Sequence, residues 1–256
     1  MAGCWIPGGD YVYPTVAGYV NISSTDGDDA VGGSGARTVF IQGLDSNYDI
    51  VNEVFNMDGT NNVTSVNQYL RVICVRVREV GSSGVNEGTI SVTQNSLLLS
   101  IVEIDDGQCQ TALFTVPNNY TGYFLDCYFT SSEDKPIEYE IAYRNLGWSW
   151  RSFLEINCYR TSFQHKFAAP IKFSEKTDIR IRAKAGSSSG EVGSGFVLLL
   201  IHDDYANDIT SMNATQAVRE VGSITVSDPE NQMLLYVGVI LIIAVALAAL
   251  ASGRKW

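Results

Sequence analysis

An all-β fold is predicted by three features of the chain. Apolar and polar residues alternate with period two in several stretches, β-branched residues and tyrosine are frequent, and Gly/Ser/Asn/Asp loops break the chain at fairly even intervals. No helix-period stretch of comparable strength interrupts the strands before residue 204. The expected architecture is a jelly-roll-like β-sandwich with an N-terminal extended arm and one C-terminal transmembrane helix. Its expected divisions are an arm over 1–37, the sandwich over 38–203, a polar stalk over 204–231, the helix over 232–252 and a basic tail over 253–256.

The arm is inferred from breakers: Gly8-Gly9, Asp26-Gly-Asp-Asp29 and Gly32-Gly-Ser-Gly35 stop each apolar run before strand length, leaving Tyr11–Tyr13 and Tyr19–Ile22 as short strands at most. Such an arm is disordered or laid over a neighbour. Residues 38–67 are expected to add a strand pair at the sandwich edge. From Arg71 to Arg78 the alternation is regular, with Ile73, Val75 and Val77 on one face and Cys74, Arg76 and Arg78 on the other. Tyr139, Ile141 and Tyr143 share a face of the next regular strand. In the segment 178–184, Ile179, Ile181 and Ala183 point inward while Arg180, Arg182 and Lys184 point outward. The run Phe196–Ile201 reads as a fully buried strand. Eight or nine strands are expected between 68 and 203. The hexapeptide Val-Arg-Glu-Val-Gly-Ser occurs at 77–82 and again at 218–223, without flanking similarity that would indicate a repeat architecture.

The C-terminal segment contains no charge between Glu230 and Arg254. Met233, Leu234, Leu235, Tyr236, Ile240, Leu241, Ile242, Ile243, Leu247 and Leu250 lie in a run that, as a helix, extends about 28 Å at ~1.5 Å per residue, close to the bilayer hydrocarbon thickness. Tyr236 and Trp256 fit interfacial positions, and Arg254 and Lys255 form a cationic stop. The first ten residues lack the basic and apolar regions of a secretory signal, so the anchor is expected to insert after synthesis with the large domain on the cytosolic side. Five cysteines, an odd number without a CxxC pair, agree with a reducing compartment. Sequons at Asn21, Asn62, Asn119 and Asn213 are weak evidence for secretion, since composition alone provides about two or three.

A net charge of −11 disfavours a sequence-independent grip on nucleic acid. No catalytic, cofactor or metal constellation is expected. His165 and His202 are far apart in sequence, Asp26-Gly-Asp-Asp29 lacks the distal Glu of an EF-hand, and Asp105-Asp106-Gly107 reads as a turn. Gly186-Ser-Ser-Ser-Gly190 matches G-x-S-x-G but lies between two strands, where a nucleophile elbow requires a strand and then a helix. The reading is a protein without enzymatic activity. The candidate contact surface comprises Trp148 and Trp150, near Arg144 and Arg151, and the basic face of Arg180, Arg182 and Lys184. The indoles are expected chiefly in the core, with sugar stacking as the other role. The cations are expected to be solvated or paired with acidic neighbours.

Gly43-Leu44-Asp45, Tyr69–Val72, Gly81–Gly84 with Gly88–Ile90, Thr115–Pro117, Phe173–Ile179 and Gly195-Phe196 together resemble structural proteins of large algal DNA viruses and of some marine phages. The resemblance covers about three fifths of the chain and rests on loops and strand edges. It implies a β-sandwich virion component, and the membrane span favours the icosahedral viruses with an internal membrane. The expected function is that of a minor capsid protein linking shell to internal membrane. Its expected partners are the major and other minor capsid proteins and the lipid bilayer, within a large assembly and without specific nucleic acid. Its expected location is the virion, with the sandwich on the capsid side and, during assembly, on the host cytosolic side. The alternative from another class is a membrane-anchored receptor- or glycan-binding sandwich displayed on a surface.

Overall fold

Alternation in this sequence is resolved into antiparallel strands. The computed structural model describes all residues except 6, 8, 132–135, 160, 185–190, 205–238 and 250–256. In chain order the strands begin with β1 (Ala2–Gly3), β2 (Gly18–Ser24), β3 (Ala36–Leu44), β4 (Ile50–Asn56), β5 (Val63–Tyr69), β6 (Arg71–Val80), β7 (Ile90–Gln94) and β8 (Leu97–Val102). They continue with β9 (Leu113–Thr115), β10 (Tyr120–Ser131), β11 (Ile137–Arg144), β12 (Arg151–Cys158), β13 (Ser162–Phe173), β14 (Asp178–Lys184), β15 (Glu191–His202) and β16 (Val239–Ala249).

These strands build two sandwiches in tandem, where the sequence suggests one over 38–203. The first packs a sheet of order β5-β2-β7-β8 on a sheet of order β4-β3-β6. Its core includes Val20, Ile22, Val39, Ile41, Phe55, Val75, Ile90 and Val92. The second packs β13-β10-β15-β16 on β12-β11-β14, the latter extended by β1 and β9 on the free edge of β14. Its core includes Phe124, Phe129, Tyr139, Ile141, Ile179, Ile181, Phe196 and Leu198.

The second sandwich repeats the strand topology of the first. The hairpin β3–β4 corresponds to β11–β12, the pairs β2–β5 and β2–β7 correspond to β10–β13 and β10–β15, and β3–β6 corresponds to β11–β14. By the same rule β8 on β7 corresponds to β16 on β15. The repetition lies in the order of pairing, which a single-sequence pattern does not encode. The second copy of the hexapeptide lies outside the described residues.

Two expected boundaries change. Within the supposed arm, β2 is an inner strand whose Val20 and Ile22 are fully buried, because short runs between glycines suffice where neighbours pair on both sides. Residues 38–67 supply β3, the central strand of its sheet, together with β4 and β5. The segment before β2 is laid along the second sandwich: Ala2 faces Ala183, and the Cys4 amide donates to the Ile181 carbonyl at 3.0 Å.

The tail also differs from expectation. Ile240, Leu241, Ile242, Ile243 and Leu247 lie in β16, antiparallel to β15 from Glu191↔Ala249 to Ile201↔Val239. An Ile/Val-rich run has high strand propensity, and the β15 edge satisfies its backbone groups where no bilayer is present. Among the described residues no helix is long and apolar enough to cross a membrane. Met233, Leu234, Leu235, Tyr236, Leu250, Arg254 and Lys255 lie outside the described residues, as do 205–231 of the stalk and the Gly186–Gly190 loop.

Candidate contact surface at the seam

Equivalent corners of the two sandwiches meet at one carboxylate. Arg71 opens β6 opposite Leu44, and Asp178 opens β14 opposite Arg144. Across the seam Arg71 grips Asp178 with both branches of its fork, Nε to Oδ1 at 3.2 Å and the second amino nitrogen to Oδ2 at 3.3 Å. Arg144 donates twice to Oδ2, at 3.2 and 2.5 Å, and the Thr115 hydroxyl donates to Oδ1 at 2.6 Å. Arg71 also donates to the carbonyls of Pro14 and Leu70. Both Arg71 and Asp178 are buried, at 6% and 4% exposure, so charge-assisted pairing here replaces lost hydration.

The N-terminal segment crosses this network as a row of rings. Trp5 meets Tyr11 edge-on at 5.0 Å, Tyr11 meets Tyr13 at 4.8 Å, and Tyr13 meets Trp150 at 5.4 Å. Tyr13 lies against Arg71 and Arg144, whose guanidinium carbons are 5.1 and 4.9 Å from its ring centre. Trp150 carries Arg180 at 3.8 Å and Arg144 at 4.7 Å. Desolvation raises the Tyr13 phenol well above its ordinary value, so it is a neutral donor at any physiological pH.

The outward face of β11 and β14 forms a ladder. Glu138 stands opposite Lys184, Glu140 opposite Arg182, Ala142 opposite Arg180 and Arg144 opposite Asp178. Arg182 hydrogen-bonds Glu140 through Nε at 2.6 Å, and Lys184 Nζ lies 3.9 Å from Glu138. These cations are therefore paired with acidic neighbours. Arg180 meets an alanine at its rung and rests on Trp150. Burial, then the neighbouring charge of Arg182, makes its own charge harder to hold, lowering its pKa.

The candidate contact residues thus divide. Trp150, Arg180 and Arg144 come together, Arg182 and Lys184 extend the same face, and Trp148 is 54% exposed under the Arg151 guanidinium at 4.6 Å. Neither indole joins a core, contrary to the expectation for both. Periodicity missed Tyr13, Arg71, Asp178 and Thr115, since a charge opening an alternating run reads as solvated.

The chain matches no family model, no curated protein and no solved structure.

Three other groupings offer chemistry. Asp26, Asp28 and Glu87 bring carboxylate oxygens within 4.8 Å of one another at the surface, an arrangement exposed acids adopt without an ion. Beside them Asp29 is fully buried and accepts from the Ser24 hydroxyl and the amides of Ala36, Glu87 and Gly88, at 2.5 to 2.9 Å. A cleft of about 400 Å³ opens between the edges β12 and β13, lined by Tyr143, Phe153, Ile171 and Phe173. Finally, Cys109 accepts the Val75 amide at 3.2 Å and the Cys74 thiol, and the thiol contact holds its pKa below the ordinary thiol range.

Proposed function

We propose that the chain is a structural virion protein, a minor capsid component that joins a capsid shell to an internal viral membrane. The observation that carries the reading is the uncharged run from Met233 to Ala251, closed by Arg254 and Lys255, on a body of β-sandwiches. The viral resemblance of residues 43–200 supports it, and so does the absence of any disulfide among the described residues. In this reading the sandwiches are of jelly-roll type. They sit on the capsid side, and the tail leaves β15 to form a transmembrane helix, since a span must satisfy its backbone groups internally. Capsid neighbours contact the sandwich faces, and Arg254 and Lys255 face the genome side. Protease treatment of purified virions tests the arrangement. The sandwiches are expected to be protected until the shell is opened, and cleavage on intact particles contradicts the proposal.

Exposed Trp148, with exposed sequon residues Asn62 and Asn119, favours a second reading as a receptor- or glycan-binding module on a surface. A mass decrease at Asn62 or Asn119 after glycosidase treatment of the native protein selects it.

A further inference from the structure

We propose that Tyr13, Trp150, Arg144 and Arg180 form an oxyanion-binding site that takes a phosphate or carboxylate group against the Tyr13 hydroxyl and the Arg180 guanidinium. Charge balance points to it first. Arg71, Arg144 and Arg180 gather around Tyr13 and Trp150; among the described residues Asp178 alone of the carboxylates hydrogen-bonds any of them, while Glu140 and Asp10 act on Arg180 only through space. Asp178 already accepts from Arg71, Arg144 and Thr115. Arg180 stands at the one rung of the β11–β14 ladder that faces Ala142, and Glu140 is committed to Arg182.

Unused donors point the same way. The Tyr13 hydroxyl and Arg180 Nε are buried without a hydrogen-bond partner. Both belong to groups packed on the Trp150 indole, and each acts electrostatically on the other. A buried polar atom without a partner is rare and calls for one. Arg180 Nε can only donate and the Tyr13 hydroxyl can donate as well as accept, so one acceptor would serve both, and the neighbouring guanidiniums favour an anion there. A guanidinium fork matches the paired oxygens of a carboxylate or phosphate. Arg144, Trp150 and Arg180 are each only partly buried, so the cluster reaches the surface, and an anion meets the buried Tyr13 hydroxyl and Arg180 Nε once the side chains covering them shift. Arg144 and Arg180 cover the Trp150 ring, which leaves guanidinium nitrogens, and no bare indole face, to meet the ligand.

The test uses the full chain in detergent micelles and does not depend on where the tail resides. Inorganic phosphate and acetate are titrated separately, with ionic strength held constant by sodium chloride, while the arginine Nε–H resonances are followed by ¹⁵N NMR. A saturable shift of the Arg180 resonance is expected with at least one of the two. A response to phosphate alone assigns a phosphate group, and a response to acetate alone assigns a carboxylate. Tyr13→Phe keeps the ring and removes the hydroxyl, and is expected to weaken binding roughly tenfold. Arg180→Gln is expected to abolish binding, whereas Arg151→Gln, which alters only the Trp148 stack, leaves it unchanged. The proposal is overturned if neither anion shifts Arg180 beyond the chloride control, which leaves the donors to water. It is equally overturned if Tyr13→Phe and Arg180→Gln both bind as the native chain does.

Discussion

Asp178 concentrates the seam in one side chain. Its two oxygens receive Arg71, Arg144 and Thr115, so removing the carboxylate strands Arg71 in a buried position. Asp178→Ala is expected to lower stability by about 3–5 kcal/mol, as for other broken buried pairs, read from the denaturant midpoint. A loss below about 1 kcal/mol would show that apolar contacts alone hold the seam. The Cys74–Cys109 contact has a pH signature. Cys109 is held below the ordinary thiol value of 9.0, so its thiolate adds stability as pH rises from the lowered value to 9.0 and loses it as pH falls through that value. Cys74 is raised by the same contact, so its term opposes folding only above 9.0. Alkylation of Cys109 is expected to begin below pH 9, and Cys74→Ala should move that profile upward. An unchanged profile in the variant would sever the two thiols.

At the scale of elements, close backbone approach decides which substitutions the sheets tolerate. Gly43 lies in β3 where an added Cβ would stand 2.2 Å from the Arg71 carbonyl oxygen and 2.5 Å from the Tyr69 ring. Gly43→Ala must displace the start of β6, and about 1–3 kcal/mol of destabilisation is expected in thermal unfolding. Native stability in that variant would mean that β6 shifts freely. The strands themselves were largely readable: β14 places Ile179, Ile181 and Ala183 inward as its alternation requires. Their partners were not, because period two says which face a residue takes and nothing about which strand lies beside it. The same limit concealed Tyr13 and Trp150, which are brought together from segments far apart in sequence. Val20 and Ile22 were legible within a short strand, but the surrounding glycines and aspartates placed it in an arm, whereas β5 and β7 flank it on either side.

The whole molecule is electrically uneven. Residues 18–110 hold 12 acidic and 4 basic side chains, whereas residues 111–204 hold 11 and 10. The first sandwich therefore carries −8 of the chain's net −11, and a neighbour with a basic face would orient the protein by that end. The tail gives a test at the same scale. Deleting residues 232–256 is expected to abolish flotation with lipid vesicles while leaving the β2–β8 amides protected from hydrogen exchange. Circular dichroism of the full chain in vesicles should show added helix relative to the deletion. If no helical signal appears, the tail has kept its place on β15.

The pairing of Ala2 with Ala183 ties a segment made before the first sandwich to a late strand of the second. Translation at about 5–20 residues per second separates the two by on the order of ten to forty seconds. During that interval β2 to β8 have all their partners and are free to fold, while Cys4 and Trp5 wait for β14 and Thr111. The β1 segment is thus among the last pieces to find its place, and closing the second sandwich is an event that follows synthesis of β14.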